Sequence, residues 1–129
     1  MSIAVVDTSI FLLFFEKRFD AIEHLDEDLD EKVICATTDS VMRELHTHIT
    51  ERIRGDVVKK YLERIYEKCK IYTLSEDYEK EDADQDLIRL ASIYRGYIAT
   101  LDKDLKKIAK EDGIKLIIYR ESKNMLEIE

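Results

Sequence analysis

Five short apolar runs recur along the chain, and each is separated from the next by sequence of helical periodicity. They are IAVV (3–6), KVICA (32–36), CKIYTL (69–74), YIAT (97–100) and KLIIY (115–119). Runs this short, rich in β-branched residues and without polar alternation, read as strands buried on both faces. Strands that alternate with helices and are apolar all round predict a parallel sheet covered by helices. The expected architecture is a three-layer α/β/α sandwich with a central parallel sheet of four to five strands. Its crossovers should be right-handed, and ligand sites should form at the carboxyl ends of the strands.

The intervening segments fit that plan. TSIFLLFFEK reads as one helix with Thr8 or Ser9 near its cap, and residues 18–29 as a second with Phe19, Ile22 and Leu25 on one face. Thr37, Thr38 and Asp39 offer caps for a helix from Ser40 to Ile53, whose Val41, Leu45, Ile49 and Ile53 share a face. After Gly55, the residues Val57, Val58, Tyr61, Leu62, Ile65 and Tyr66 mark another amphipathic helix. The acidic stretch SEDYEKEDADQ opens a helix carrying Leu87, Ile88, Leu90, Ala91 and Tyr94, which Gly96 ends. Asp102 opens a last one with Leu105, Ile108 and Ala109, which Gly113 stops. Residues 120–129 take no assignment.

At 129 residues, of which 45% are hydrophobic, the chain is sized for a single domain, 1–129, with a real core. The net charge of −8 repels nucleic acid unless a local basic surface or a bound metal reverses the field. The charge is uneven. Residues 75–90 hold seven acids against two bases, whereas residues 41–70 hold eight bases against five acids. Cys35 and Cys69 form no C-x-x-C pair and read as reduced, small core residues. The first apolar run is too short to span a bilayer and has no basic flank or cleavage site. The expectation is a soluble cytoplasmic protein without membrane association.

Acids follow the strands in a pattern. Asp7 follows the first directly, inside an otherwise charge-free run, and such an acid must find partners. Glu44 lies on the helix after the second strand, Asp84 and Asp86 in the first turn of the helix after the third. Asp102 follows the fourth, with Asp104 two residues on. Gathered together, these carboxylates would repel one another, and a hard divalent cation resolves that. Mg²⁺ and Mn²⁺ accept such oxygen ligands and serve phosphodiester hydrolysis. Helix-dipole stabilisation alone also accounts for first-turn acids such as Asp82, Asp86 and Asp104, and Glu44 on its own reads as a solvated helix residue. His46 and His48 read as surface histidines, and the scattered tyrosines as core edges.

The strand running into DTS, the glutamate in SVMREL, the run DADQDLIRLA and the segment IATLDKDLKKIAKEDGIKLI together resemble the PIN-domain family. The resemblance covers residues 3 to about 119. Its most specific part is the strand, T-x-D-x-D, helix, glycine and strand of the last segment. It is nearest to the archaeal and ribosome-processing branch and to the toxins of type II toxin–antitoxin pairs.

The resemblance implies an α/β/α fold and an endoribonuclease that uses Mg²⁺ or Mn²⁺. By motif, Asp7, Glu44, Asp84 (seven residues before Ala91) and Asp102 match the four principal acids, with Asp104 as a further metal ligand. Ser9 or Thr8 matches the hydroxyl often found near the first acid, and Asp86 and Thr100 are accessory positions. Two departures stand out. Leu101 occupies a position that is often Asn, and Gln85 interrupts a pair of adjacent acids. The second leaves open whether Asp82, Asp84 or Asp86 faces the metal.

Arg43, Lys103, Lys106, Lys107 and Lys110 are candidates to track an RNA backbone. A homodimer is expected, with an antitoxin or a ribosome-assembly factor as a further partner. The competing reading is a catalytically weak PIN-like binding module that works through protein partners. A haloacid-dehalogenase-like phosphatase would need D-x-D after the first strand, where Ser9 stands instead. A receiver domain would need an acidic pair there.

Overall fold

The computed structural model describes residues 2–52, 55–74 and 82–129, with the side chains of 50–52 excepted. A six-stranded sheet runs in the order β3-β2-β1-β4-β5-β6. The strands are β1 Ser2–Val6, β2 Val33–Thr38, β3 Lys70–Tyr72, β4 Tyr97–Ala99, β5 Leu116–Arg120 and β6 Met125–Ile128. All neighbouring pairs are parallel except β5 with β6. The helices are α1 Thr8–Phe11, α2 Leu13–Lys17, α3 Ala21–Glu27, α4 Asp39–Arg52, α5 Asp56–Lys68, α6 Ala83–Tyr94 and α7 Lys103–Glu111.

The sheet is central because its sequence leaves no polar face. Ile3, Ala4, Val5 and Val6 of β1 are all buried, as are Ile98 and Ala99 of β4 and Leu116, Ile117 and Ile118 of β5. Helices cover the sheet, with α6 packed against β1, β2 and β4 and α7 against β5. Their buried stripes follow the periodicity in part: Leu87, Ile88, Leu90 and Ala91 of α6 are buried, whereas Val57, Tyr66, Tyr94 and Ile108, read onto the same faces, are exposed. Gly96 lets β4 start close against β1. A Cβ there would lie 2.6 Å from the Ile3 side chain and 2.7 Å from its carbonyl oxygen.

Strand order reverses at β1. The chain moves outward through β2 and β3, then crosses back to lay β4 on the other side of β1. The crevice at such a reversal, outside the carboxyl ends of the strands, is where open α/β sheets place their sites. β1 and β4 run in register to their ends. Val6 sits opposite Ala99, and the Asp7 amide donates to the Ala99 carbonyl at 3.0 Å.

Four expectations need correction. TSIFLLFFEK is not one helix, because Leu12 separates α1 from α2. An apolar run without glycine or proline carries no mark of that break. The unassigned tail forms β6, which pairs antiparallel with β5 through Ile117–Ile128 and Tyr119–Leu126 and makes the sheet larger than expected. The helix expected over 18–29 is confined to α3, capped by Asp20, whose Oδ1 accepts from the Ile22 and Glu23 amides. The cysteines are not reduced. Cys35 and Cys69 form a disulfide, with Cα atoms 4.6 Å apart. The register explains it: Ala36 pairs with Lys70, which brings the residues just before them side by side. Ile53 and the acidic run 75–81 lie outside the described residues.

Candidate acidic active site

Asp7 is fixed from both sides of the strand reversal. It is only 7% exposed, so its carboxylate must be hydrogen-bonded. Its Oδ2 accepts from Thr100 Oγ1 at 2.7 Å and from Ser9 Oγ at 2.9 Å. Each hydroxyl is itself held by the backbone of the next loop. The Leu101 amide donates to Ser9 Oγ and the Asp102 amide to Thr100 Oγ1, both at 3.0 Å. The T-x-D motif thus ties the end of β4 to the end of β1. Ser9, not Thr8, is the hydroxyl that serves Asp7. Thr8 Oγ1 is buried and, among the described residues, has no hydrogen-bond partner.

Asp102 caps α7. Its Oδ1 accepts from the Asp104 amide at 2.8 Å and the Leu105 amide at 3.3 Å. Asp82 caps α6 in the same way, accepting from the Asp84 and Gln85 amides at 3.0 and 3.2 Å. Asp86, two residues beyond Asp84, is turned inward, 4% exposed, and accepts from Ser40 Oγ at 2.7 Å. Asp84 is left facing the crevice.

Partial burial pushes the Asp84 carboxyl up to about 6, helped in order by the charges of Asp7, Asp102, Asp82 and Glu44. Glu44 is raised by burial and then by Asp7, while the nearby His48 works in the opposite direction. The four acids expected from sequence therefore act on one another from four separate elements. Asp104, exposed on the first turn of α7, is not among the charges acting on Asp84. Carboxylate oxygens of this kind suit a hard divalent cation. Among the described residues, no three histidine, cysteine or carboxylate side chains are drawn together tightly enough to hold one as they stand.

The basic candidates divide. Lys103, Lys106, Lys107 and Lys110 recur at the spacing of one helical face along α7, which begins at Asp102. Lys110 is paired with Glu129 at 3.3 Å, and Arg43 with Asp39 at 3.2 Å. His46 meets the Tyr66 hydroxyl at 3.3 Å on the surface. Sequence reasoning overlooked Ser40, whose only signal was its place four residues before Glu44.

The fold recurs in solved structures. The PIN domain endonuclease Utp24 superposes with a TM-score of 0.73 over 98% of this chain and 90% of its own, at 22% identity. The chain has the PIN-domain fold. A second PIN-like structure, the PilT N-terminus domain protein SSO1118 from the hyperthermophilic archaeon Sulfolobus solfataricus P2, gives a TM-score of 0.58 at 18% identity. That match covers 90% of this chain and 86% of the other. No protein-family model and no curated protein matches the sequence. In this fold Asp7 and Asp102 follow the ends of β1 and β4, and Glu44 and Asp84 lie on α4 and α6. No helix among the described residues is long and apolar enough to cross a membrane.

Proposed function

We propose that this PIN-fold protein is a divalent-metal-dependent endoribonuclease, acting in RNA processing or as the toxin of a toxin–antitoxin pair. The observation that carries the reading is the convergence of Asp7, Glu44, Asp84 and Asp102 from separate elements of a PIN fold, near enough for their charges, together with burial, to raise the Asp84 carboxyl. Negative charge concentrated where a sheet opens its ligand crevice calls for a cation. The donor set is all oxygen, which fits Mg²⁺ or Mn²⁺. Asp7, Glu44, Asp84 and Asp102 would hold the ion, with Asp104 as an outlying ligand. Such an ion would supply charge stabilisation at the scissile phosphate and lower the pKa of a water.

The chain's own residues do the rest. Thr100 and Ser9 hold the Asp7 carboxyl in place, since both donate to its Oδ2. Among the described residues the Asp102 cap engages Oδ1 alone, which leaves its other oxygen for a ligand. The lysines of α7 lead away from Asp102 and offer successive phosphates a basic track, which offsets the net charge of −8 locally.

The test is incubation of the protein with total RNA and Mg²⁺ or Mn²⁺, followed by mapping of new 5′ ends. Wild type should cleave, and Asp7→Asn should fall to background while keeping its circular dichroism. Undiminished metal-dependent cleavage by Asp7→Asn would falsify the reading. Gene neighbourhood separates the toxin from the processing role, and light scattering tests the homodimer.

A second reading, a non-cleaving PIN-like binding module, draws on one observation: the described acids do not close on a metal position unaided. Calorimetric titration with Mn²⁺ separates the two. No binding at millimolar metal favours the module.

A further inference from the structure

Ser40 and Asp86 are 46 residues apart in sequence, yet they share a 2.7 Å hydrogen bond beneath the acidic crevice. We propose that this bond is a positioning device that sets the rotation of α4 and α6, so that Glu44 and Asp84 face the same ligand. The inference rests on the metal-binding reading given above.

Neither residue has an ordinary reason to be there. An acid in the first turn of a helix is normally favoured by the dipole while remaining in water. Asp86 is instead 4% exposed, and the cap of α6 is already supplied by Asp82. Burying a carboxylate is costly unless something fixes and compensates it, so an apolar contact between α4 and α6 would have been the cheaper pin. Ser40 is 3% exposed, and its Oγ lies 3.0 Å from Thr38 Oγ1. Thr38 Oγ1 in turn accepts from the Val41 amide at 3.2 Å, which anchors the start of α4. One chain of contacts therefore runs from the inner face of α6 to the first turn of α4.

Helix geometry converts that chain into aim. Residues two apart on a helix point to nearly opposite sides. With Asp86 held inward at Ser40, Asp84 must project the other way, toward Asp7 and Asp102. Residues four apart share a face, so a Ser40 held against α6 carries Glu44 onto the same wall of the crevice one turn later. Without the bond, only non-directional apolar packing fixes the roll of each helix, and even a small roll displaces a carboxylate at its rim. Asp86 thus acts through Asp84 and Glu44, not as a ligand itself.

The experiment measures Mn²⁺ affinity by calorimetry for wild type, Asp7→Asn, Ser40→Ala, Asp86→Ala and Asp86→Asn, with the fold of each checked by circular dichroism. Ser40→Ala and Asp86→Ala should bind about 10-fold more weakly, the effect typical of residues that orient metal ligands. Asp86→Asn keeps an oxygen for the Ser40 hydroxyl and should lose well under the roughly 10-fold of an outer-shell deletion, where loss of a buried charge alone would move it as far as alanine. If Ser40→Ala binds like wild type while Asp7→Asn does not, the inference falls and the metal site stands. Equal weakening in Asp86→Asn and Asp86→Ala also overturns it, because charge and not the bond would then matter. Absence of Mn²⁺ binding by wild type removes the metal reading and this inference together.

Discussion

The two halves of the acidic crevice are built by different means. Asp7 and Asp102 lie at the ends of β1 and β4, neighbouring strands whose register already brings their termini together. Two hydroxyls and two backbone amides then close the unit, so its geometry comes with the sheet. Glu44 and Asp84 ride on helices that follow β2 and β3, and β3 is an edge strand of three residues. That half depends on long-range pins: the Cys35–Cys69 disulfide between the strands, and Ser40–Asp86 between the helices. The contrast teaches that a sheet can place ligands only at strand ends. A ligand on a helix must be aimed by something else.

Perturbing each half should break the contrast in a defined order. The largest effect on the fold is expected from the disulfide, which closes a separation of 34 residues containing α4 and α5. In the chain-entropy account, a loop of that size contributes about 3–4 kcal/mol. Urea unfolding with and without a dithiol reductant should show a loss of that order, and Cys35→Ala with Cys69→Ala should be insensitive to reductant. A reductant-insensitive wild type would remove the edge pin from the comparison.

Next comes Thr100→Val, which takes the 2.7 Å donor from a buried carboxylate. It should cost about 1.5–3 kcal/mol in the same unfolding measurement, the range for hydrogen bonds to charged groups. Ser9→Ala should cost less, since its bond to Asp7 is only part-buried.

The pH dependence sharpens the helical half. Asp84 is raised from 3.8 to about 6, so the folded protein holds a proton there that the unfolded chain releases. Stability from this group is complete below about pH 4 and is lost as pH rises through about 6. In the presence of chelator, the urea midpoint should fall across that window, and Asp84→Asn should flatten the fall. Mn²⁺ affinity should run the other way and rise with pH, because the ion competes with the proton. The smallest effect belongs to the basic track. Lys106→Ala with Lys107→Ala should lower the salt slope of RNA binding by about 1.4 if each lysine meets one phosphate.

Much of this was legible from residues alone, and the reasons differ by element. Asp7 and Asp102 could be read because an acid directly behind a buried strand has one place to go. Asp84 could not be told from Asp82 and Asp86 by sequence. Three acids within one turn of α6 point in three directions, and only the cap geometry and the partner at Ser40 decide which faces the crevice. The disulfide was illegible because it follows from the register between β2 and β3, which no spacing of cysteines encodes. The final strand escaped notice because MLEI places a charge between its apolar residues and is only four residues long. What pairs it is the antiparallel return after β5, a tertiary event.

The sheet's two outer strands carry a consequence for how copies of this protein can meet. At one edge, β3 is three residues long and begins with an exposed lysine. At the other, β6 carries Glu127, which binds Arg120 at 2.9 Å and Lys123 at 3.5 Å along its own rim. Short, charged margins of this kind resist recruitment of a further strand from another molecule. These margins therefore disfavour continuous sheet formation between copies, the route to fibrous assembly, and leave the helical faces as the favoured surfaces for association that preserves the fold.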